Sequence, residues 1–567
     1  MMKALRYTVC IYLTVIFNSL PFGEGWGGVY AQKILKDTMI HVVKQFQPTI
    51  ADAYKINDAP FVKDSVPPAP DLRYSIITKK VFTPFTVEPL KPAKMVGEPL
   101  TKLYHTLIKA GAGNYNTPYA EIFSTNGRSK DMNYGAHLKH FSSKSTLEGY
   151  GFGGFSDNQV ELYGKKFFRK HTLKTNLDYN RNVIHYYGYD TSLIHLSDND
   201  YTRQCYSNIG GNVELQSHYT DSVRLNYLLK LKYYNLTDLY ENAENNIRAE
   251  GDFSGYYEKQ LVHVPVLVDY YNNKSKIDTG NSVIIELSPY VTSSGDKWST
   301  RIGVGIEIEG NQNDRSRFIF YPDIDFEYDV VENILVPYAG ITGGLKRNSL
   351  KSLTDENPFL VPNPEMENTD TKFKIYGGLK GSITKTIAYN ANTSFRKDEG
   401  MNLFVNDNSD LSIKGFNTVY DDVSIWNIHG ELQFQYSEKI KLFAKGDYNK
   451  YTMTDELKPW HRPAVQFTFS GNYNLKDKIV VNADMFVIGK RFAYSPTQSQ
   501  GTGVTVISTS INELKTIVDA NLSLEYRYSK KLSAFLHFNN LGFSRYYMWN
   551  NYPTQKFNFL LGVTVAF

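Results

Sequence analysis

The most suggestive chemical motif is Gly149-Tyr150-Gly151-Phe152-Gly153-Gly154, which formally matches GxGxxG. A dinucleotide site needs that run to leave a strand and open a helix, so that pyrophosphate meets helix N-terminal amides. Here it lies between two alternating segments with no helical pattern after it, and it reads as an external loop. His137 and His140 in the run HLKH are three apart on a strand, point to opposite faces and would not share one metal. His461 beside Trp460 reads as an aromatic loop anchor rather than a base. GxSxG, HExxH and phosphate-loop patterns are absent. Only two cysteines occur, Cys10 and Cys205, which excludes a disulfide framework and any Cys-rich metal site. No catalytic residue, metal or cofactor is expected.

The elements that carry these residues alternate with period 2. Ile302, Val304, Ile306 and Ile308 share one face while Arg301, Glu307 and Glu309 share the other. Phe318, Phe320, Ile324, Phe326 and Tyr328 stand opposite Arg317, Asp323, Asp325 and Glu327. Leu225, Tyr227, Leu229 and Leu231 oppose Arg224, Lys230 and Lys232. The pattern suits strands with one oily and one wet face, as does a composition of 14% aromatics with 43 Tyr and 33 Phe against 5 Trp. Lys+Arg 62 against Asp+Glu 58 leaves +4, so no nucleic-acid partner is implied. The mean hydropathy of −0.39 and the lack of any run of 18 apolar residues exclude membrane helices.

Residues 1–31 read as a secretory signal. Lys3 and Arg6 supply the charged start, Val9 to Leu20 the apolar stretch and Val29-Tyr30-Ala31 a cleavage site. From Leu103 onward about 22 strands can be marked, within a range of roughly 20 to 24. Tight turns at Phe168-Arg169, Gly295-Asp296, Ser437 and Lys476-Asp477 alternate with longer connections such as 144–155, 188–203, 349–371, 399–412, 492–513 and 548–554. Strands are expected at 281–294, 531–547 and 555–567. On the last, Phe557, Phe559, Leu561, Val563, Val565 and Phe567 would face lipid. The fold expected is an all-β transmembrane antiparallel β-barrel at 103–567, in the outer membrane of a Gram-negative cell. A terminal Phe on such a strand has the shape of the signal read by the outer-membrane barrel assembly machinery, with Phe557, Phe559 and Phe567 as its aromatic positions.

Strand number and length resemble the barrel of TonB-dependent receptors. The stretches YPDIDFEYDVVENILVPYAGITGGLKRNS (321–349) and KPAKMVGEPLTKLYHTLIKAGAGNYNTPYAE (91–121) are similar to receptor-like barrels of Bacteroidetes-type bacteria. The resemblance implies a folded plug ahead of the barrel. Residues 32–102 are too short for one and carry nine prolines between Pro48 and Pro99. Proline at that density blocks ladder hydrogen bonds and favours extended chain, so an extended periplasmic or lumen-filling arm is expected. Arg73, Lys79, Lys80, Lys91 and Lys94 would then meet wall carboxylates. Asp37-Thr38-Met39-Ile40-His41-Val42-Val43 resembles a TonB box, which adds a strand to the sheet of a periplasmic energy-coupling protein.

The resemblance implies a transport conduit gated by a partner or by the arm, with Arg224, Lys230, Lys232, Arg301, Glu307, Asp323, Asp325 and Glu327 shaping a wet interior. The alternative is a non-transport scaffold subunit of an outer-membrane assembly or surface-lipoprotein export complex, and in either case a surface lipoprotein could seat on the aromatic external loops. Barrel hydrolases with a surface Ser/His pair exist, generally in smaller barrels, and nothing in the sequence singles out a nucleophile. No enzyme is expected.

Overall fold

The computed structural model describes residues 103–567 apart from 197–198, 221–223, 259, 276–278, 312–315, 408, 410–412 and 502–503. The first strands are β1 (Thr106–Gly113), β2 (Thr117–Thr125), β3 (Met132–Ser143), β4 (Phe155–Phe167), β5 (His171–His185) and β6 (Arg203–Ser217). Then come β7 (Asn226–Thr237), β8 (Ala243–Tyr257), β9 (Gln260–Lys274), β10 (Thr279–Leu287 and Tyr290–Ser294), β11 (Trp298–Asn311) and β12 (Arg317–Tyr328). β13 (Val336–Lys346), β14 (Thr369–Thr384), β15 (Ile387–Asn406), β16 (Phe416–Tyr436) and β17 (Ile440–Met453) follow. The ring is completed by β18 (Val465–Leu475), β19 (Ile479–Ile488), β20 (Ile517–Arg527), β21 (Leu532–Asn539) and β22 (Asn558–Ala566).

Each strand pairs antiparallel with the next, and β22 returns to β1 through Leu107↔Ala566 to Gly113↔Leu560. The result is a closed 22-strand barrel. Closure removes both sheet edges, which hydrocarbon would leave unsatisfied. The outer surface carries the apolar members of each alternation: Leu177, Leu231, Ile302 and Phe318 are all more than half exposed, which in a membrane means lipid-facing. The polar members lie on the inner wall. Localisation follows from the same geometry, since a closed barrel with an apolar outside and a charged inside is an outer-membrane protein.

Four expectations about elements need correction. β10 is interrupted at Ser288-Pro289, because a proline has no N–H to give the ladder. The expected strand 531–547 stops at Asn539, and its remainder belongs to a long connection with a short hairpin, Tyr547–Trp549 against Tyr552–Pro553. Residues 492–513 are not a plain loop but a separate hairpin, Arg491–Gly501 against Val504–Leu514. Most of 399–412 extends β15. With 20 and 21 residues, β15 and β16 rise ~50 Å at ~3.3 Å per residue and ~40° tilt, about twice the ~25 Å apolar band.

Candidate functional site

The inner wall is a network of ion pairs. Lys230 and Lys232 both reach Glu250, at 3.7 and 3.1 Å; Arg248 joins Glu250 to Asp269 at 2.7 and 3.2 Å. Arg301 reaches Asp323 at 3.3 Å and also contacts Asp325, while its guanidinium lies 5.3 Å from the Tyr290 ring centre. Tyr376 donates to Asp325, and Lys380 pairs with Glu327 at 2.5 Å. Glu307 accepts the Leu345 amide at 2.9 Å and sits in register with Glu286 of the neighbouring strand. Seven of the eight charges singled out in the sequence are thus on this wall. Arg224 precedes β7, with its guanidinium 5.3 Å from the Tyr219 ring centre.

Sequence reasoning missed what happens at the end of the barrel that carries the long connections. Nineteen buried apolar side chains form one cluster there, among them Ile184, Tyr186, Tyr206, Leu353, Phe359, Phe404, Phe416, Trp549 and Tyr552. Tyr186 follows β5 and donates to the carbonyl of Leu360, which precedes β14; nine strands round a ring of 22, these partners can meet only across the mouth. Tyr187 donates to Pro553 O at 3.0 Å, Tyr206 to Pro358 O at 3.0 Å and Tyr552 to Lys414 O at 2.9 Å. Phe359 stacks on Tyr552 with centroids 3.8 Å apart. The connections after β3, β5, β13, β15, β17 and β21 are therefore sewn into one cap.

Local chemistry explains how each connection is held. The helix Leu350–Glu356 starts with Ser349 in a capping box, and its first amides, Leu350 N and Lys351 N, donate to the carboxylate of Glu244 at 2.7 and 3.2 Å. Asp421 takes the amides of Thr454, Asp455 and Glu456 at 3.0 to 3.2 Å, which ties the next connection to β16. Buried Arg491 donates to the carbonyls of Met548 and Tyr547 at 2.7 and 2.6 Å. Burial lowers its pKa to about 10, so it stays charged at neutral pH. The GxGxxG run is part of the cap: Gly149 takes φ +81°, and a Cβ on Gly151 would stand 2.3 Å from the Tyr189 ring. Its glycines serve a turn and close packing.

His461 lies in the middle of the cap, 5.1 Å from the Trp549 ring and 5.4 Å from Phe416. The Asn550 amide donates to its Nε2 at 3.3 Å, so the proton sits on Nδ1, which donates to Phe404 O at 3.0 Å. Desolvation, with Arg491 nearby, lowers its pKa to about 3. The ring is a neutral anchor.

Of the remaining sequence candidates, Asp37 to Val43 lie outside the described residues. Phe559 and Phe567 are exposed on the outer surface, and the Phe567 carbonyl accepts from His105 N at 2.7 Å. Phe557 falls just before β22 rather than on it, stacked between Phe538 and Phe543 at 5.9 and 4.8 Å. His137 and His140 do face opposite sides, His137 meeting Glu121 inside at 3.0 Å and His140 meeting Asn158 outside at 2.7 Å.

The fold defines a large outer-membrane β-barrel. No family model and no curated protein matches the sequence. Solved structures do. The FrpB iron transporter from Neisseria meningitidis aligns at TM-score 0.62 with 9% identity over 82% of both chains. The pyoverdine outer membrane receptor FpvA from Pseudomonas aeruginosa aligns at 0.61 with 11% identity over 83% of this chain and 79% of that one. The ferric-catecholate import receptor Fiu from E. coli aligns at 0.59 with 9% identity over 82% of both. At these identities the likeness is one of fold: the barrel is that of TonB-dependent receptors.

Proposed function

We propose that the chain is a receptor-like transport barrel whose outward gate is its own loop cap and whose inward gate is a periplasmic partner or the arm 32–102. The observation that carries this reading is the capped barrel: a charged wall fit for a wet passage ends in a mouth closed by the chain itself. On this reading residues 1–31 are a signal peptide, and Phe557, Phe559 and Phe567 serve recognition by the barrel assembly machinery. Asp37 to Val43 add a strand to an energy-coupling protein, so the contacts are made by backbone. Val42→Pro removes a donor and should abolish cross-linking to that partner while leaving the barrel assembled, whereas Val42→Thr should change little. Normal cross-linking and transport with Val42→Pro would overturn the coupled reading.

A second reading has its own support. The cap is packed like a domain core, with Tyr186, Phe359 and Phe416 fully buried, which suits a barrel that stays shut and serves as a scaffold in an assembly or lipoprotein-export complex. Deleting 44–102 would then remove partners without any transport phenotype.

A further inference from the structure

The outward face of β3 and β4 changes character near its outer end. Going outward, the cross-strand pairs are Ala136↔Leu162, Leu138↔Val160, His140↔Asn158 and Ser142↔Ser156. Leu138, Val160 and Leu162 are exposed, so all eight residues lie on the lipid side, and the switch to polar types comes where the apolar band ends. Ser142 is one residue from the end of β3. The polar group therefore sits at the outer edge of the apolar face of these two strands, where a lipid's ester carbonyls would meet it.

The polar residues form a directed chain of hydrogen bonds. The Asn158 amide nitrogen donates to Ser156 Oγ at 3.0 Å and to Arg181 O at 3.4 Å. Its Oδ1 must then accept from His140 Nδ1, at 2.7 Å, which leaves Nε2 unprotonated. Ser142 Oγ lies 3.2 Å from that Nε2. A hydroxyl facing an unprotonated imidazole nitrogen, with the other nitrogen held by a third group, is the arrangement that activates a serine nucleophile, and it is defined by geometry rather than by chain order. Ala120, in register with His140 on β2, is small, and His140 itself is half-buried. Arg181, in register with Asn158 on β5, places a guanidinium on the same face, suited to a phosphate headgroup.

We propose that Ser142 and His140, positioned by Asn158, cleave long-chain carboxylic esters of phosphate-bearing lipids in the outer leaflet. Ser142 Oγ attacks the ester carbonyl as His140 Nε2 takes its proton. The C–O bond to the glycerol or sugar oxygen breaks, and that oxygen receives the proton from His140. Water, deprotonated by His140, then attacks the acyl-serine; fatty acid leaves and Ser142 regains its proton. Ester and water become acid and alcohol, and no further reactant is needed. This activity is independent of the transport reading and departs from the expectation that the chain is no enzyme. Sequence alone could not reveal it, because Asn158 meets His140 only through the β3–β4 register.

The test uses the purified full chain in detergent micelles, with an alkyl fluorophosphonate probe mapped by peptide mass spectrometry. Fatty-acid release is measured in parallel from phosphatidylethanolamine and from lipid A, which separates the two lipid sources. The expected result is labelling at Ser142 and release from at least one lipid. Both are abolished in Ser142→Ala and lowered at least ~100-fold in His140→Ala. Asn158→Ala should lower the labelling rate about tenfold, and Asn158→Asp should restore it with the pH midpoint moved upward, a change that a merely structural amide would not produce. Heat-modifiable migration checks that each variant is folded, and the wild-type map decides without them. An unlabelled Ser142, or no release from either lipid, overturns the proposal.

Discussion

Acid should loosen the cap through His461. An imidazole in unfolded chain takes up a proton near pH 6.5, whereas His461 in the cap does so near 3. Between those values the open state binds more protons, so the closed state gains stability as pH rises. The contribution is fully present above about pH 6.5 and is lost as pH falls toward 3. At ~1.4 kcal/mol per unit, a displacement of 3.5 units would amount to roughly 4 to 5 kcal/mol at most, and lowering pH from 7 to 4.5 would remove ~2.7 kcal/mol, about a 100-fold change in opening. The Asn550 amide, which donates to His461 Nε2, reports this opening by hydrogen exchange once the intrinsic pH dependence of exchange is divided out. Its protection should fall about 100-fold more in the wild type than in His461→Gln. Carboxylates elsewhere in the cap act equally on both proteins and cancel in the comparison. An equal change in protection between pH 7 and 4.5 in the wild type and in His461→Gln would refute the reasoning.

Other perturbations test separate contacts. Arg491→Ala leaves the carbonyls of Tyr547 and Met548 without their donors and should destabilise the cap by ~2–4 kcal/mol, seen as faster proteolysis within 540–557 while heat-modifiable migration of the barrel persists. Leu231→Arg puts a charge on the lipid side and should cost ~2–4 kcal/mol near the midplane; Lys232→Gln, one residue on but on the inner wall, should cost under ~1 kcal/mol in the same refolding titration. Glu244→Gln weakens the anchor of the Leu350–Glu356 helix and should raise amide exchange at Leu350 and Lys351 about tenfold.

The barrel was legible because a lipid-facing wall forces strict alternation: Ile302 and Phe318 could be assigned to the oily face, and Glu307 and Asp323 to the wet one, from parity alone. Lys230 and Lys232 could likewise be placed opposite Leu229 and Leu231, though their shared partner Glu250 depends on strand register. The cap was not legible. Its contacts join connections many strands apart, such as Tyr186 with Leu360, and no local period records them. A signal was present in the aromatic density of the supposed loops and of the strand ends beside them, Tyr186-Tyr187, Trp460-His461 and Tyr546 to Tyr552. External loops with so many large apolar side chains must bury them somewhere. The break in β10 was foreshadowed by Pro289.

Single-channel conductance across a planar bilayer tests the capped barrel most directly. The full chain and a variant lacking 32–102 should both remain closed, since the cap belongs to the barrel itself. Trp549→Ala, which leaves a hole between Phe404 and Phe416, should produce openings that grow more frequent as pH falls. Large steady conductance on removal of 32–102 with the cap residues intact would contradict a mouth closed by its own loops.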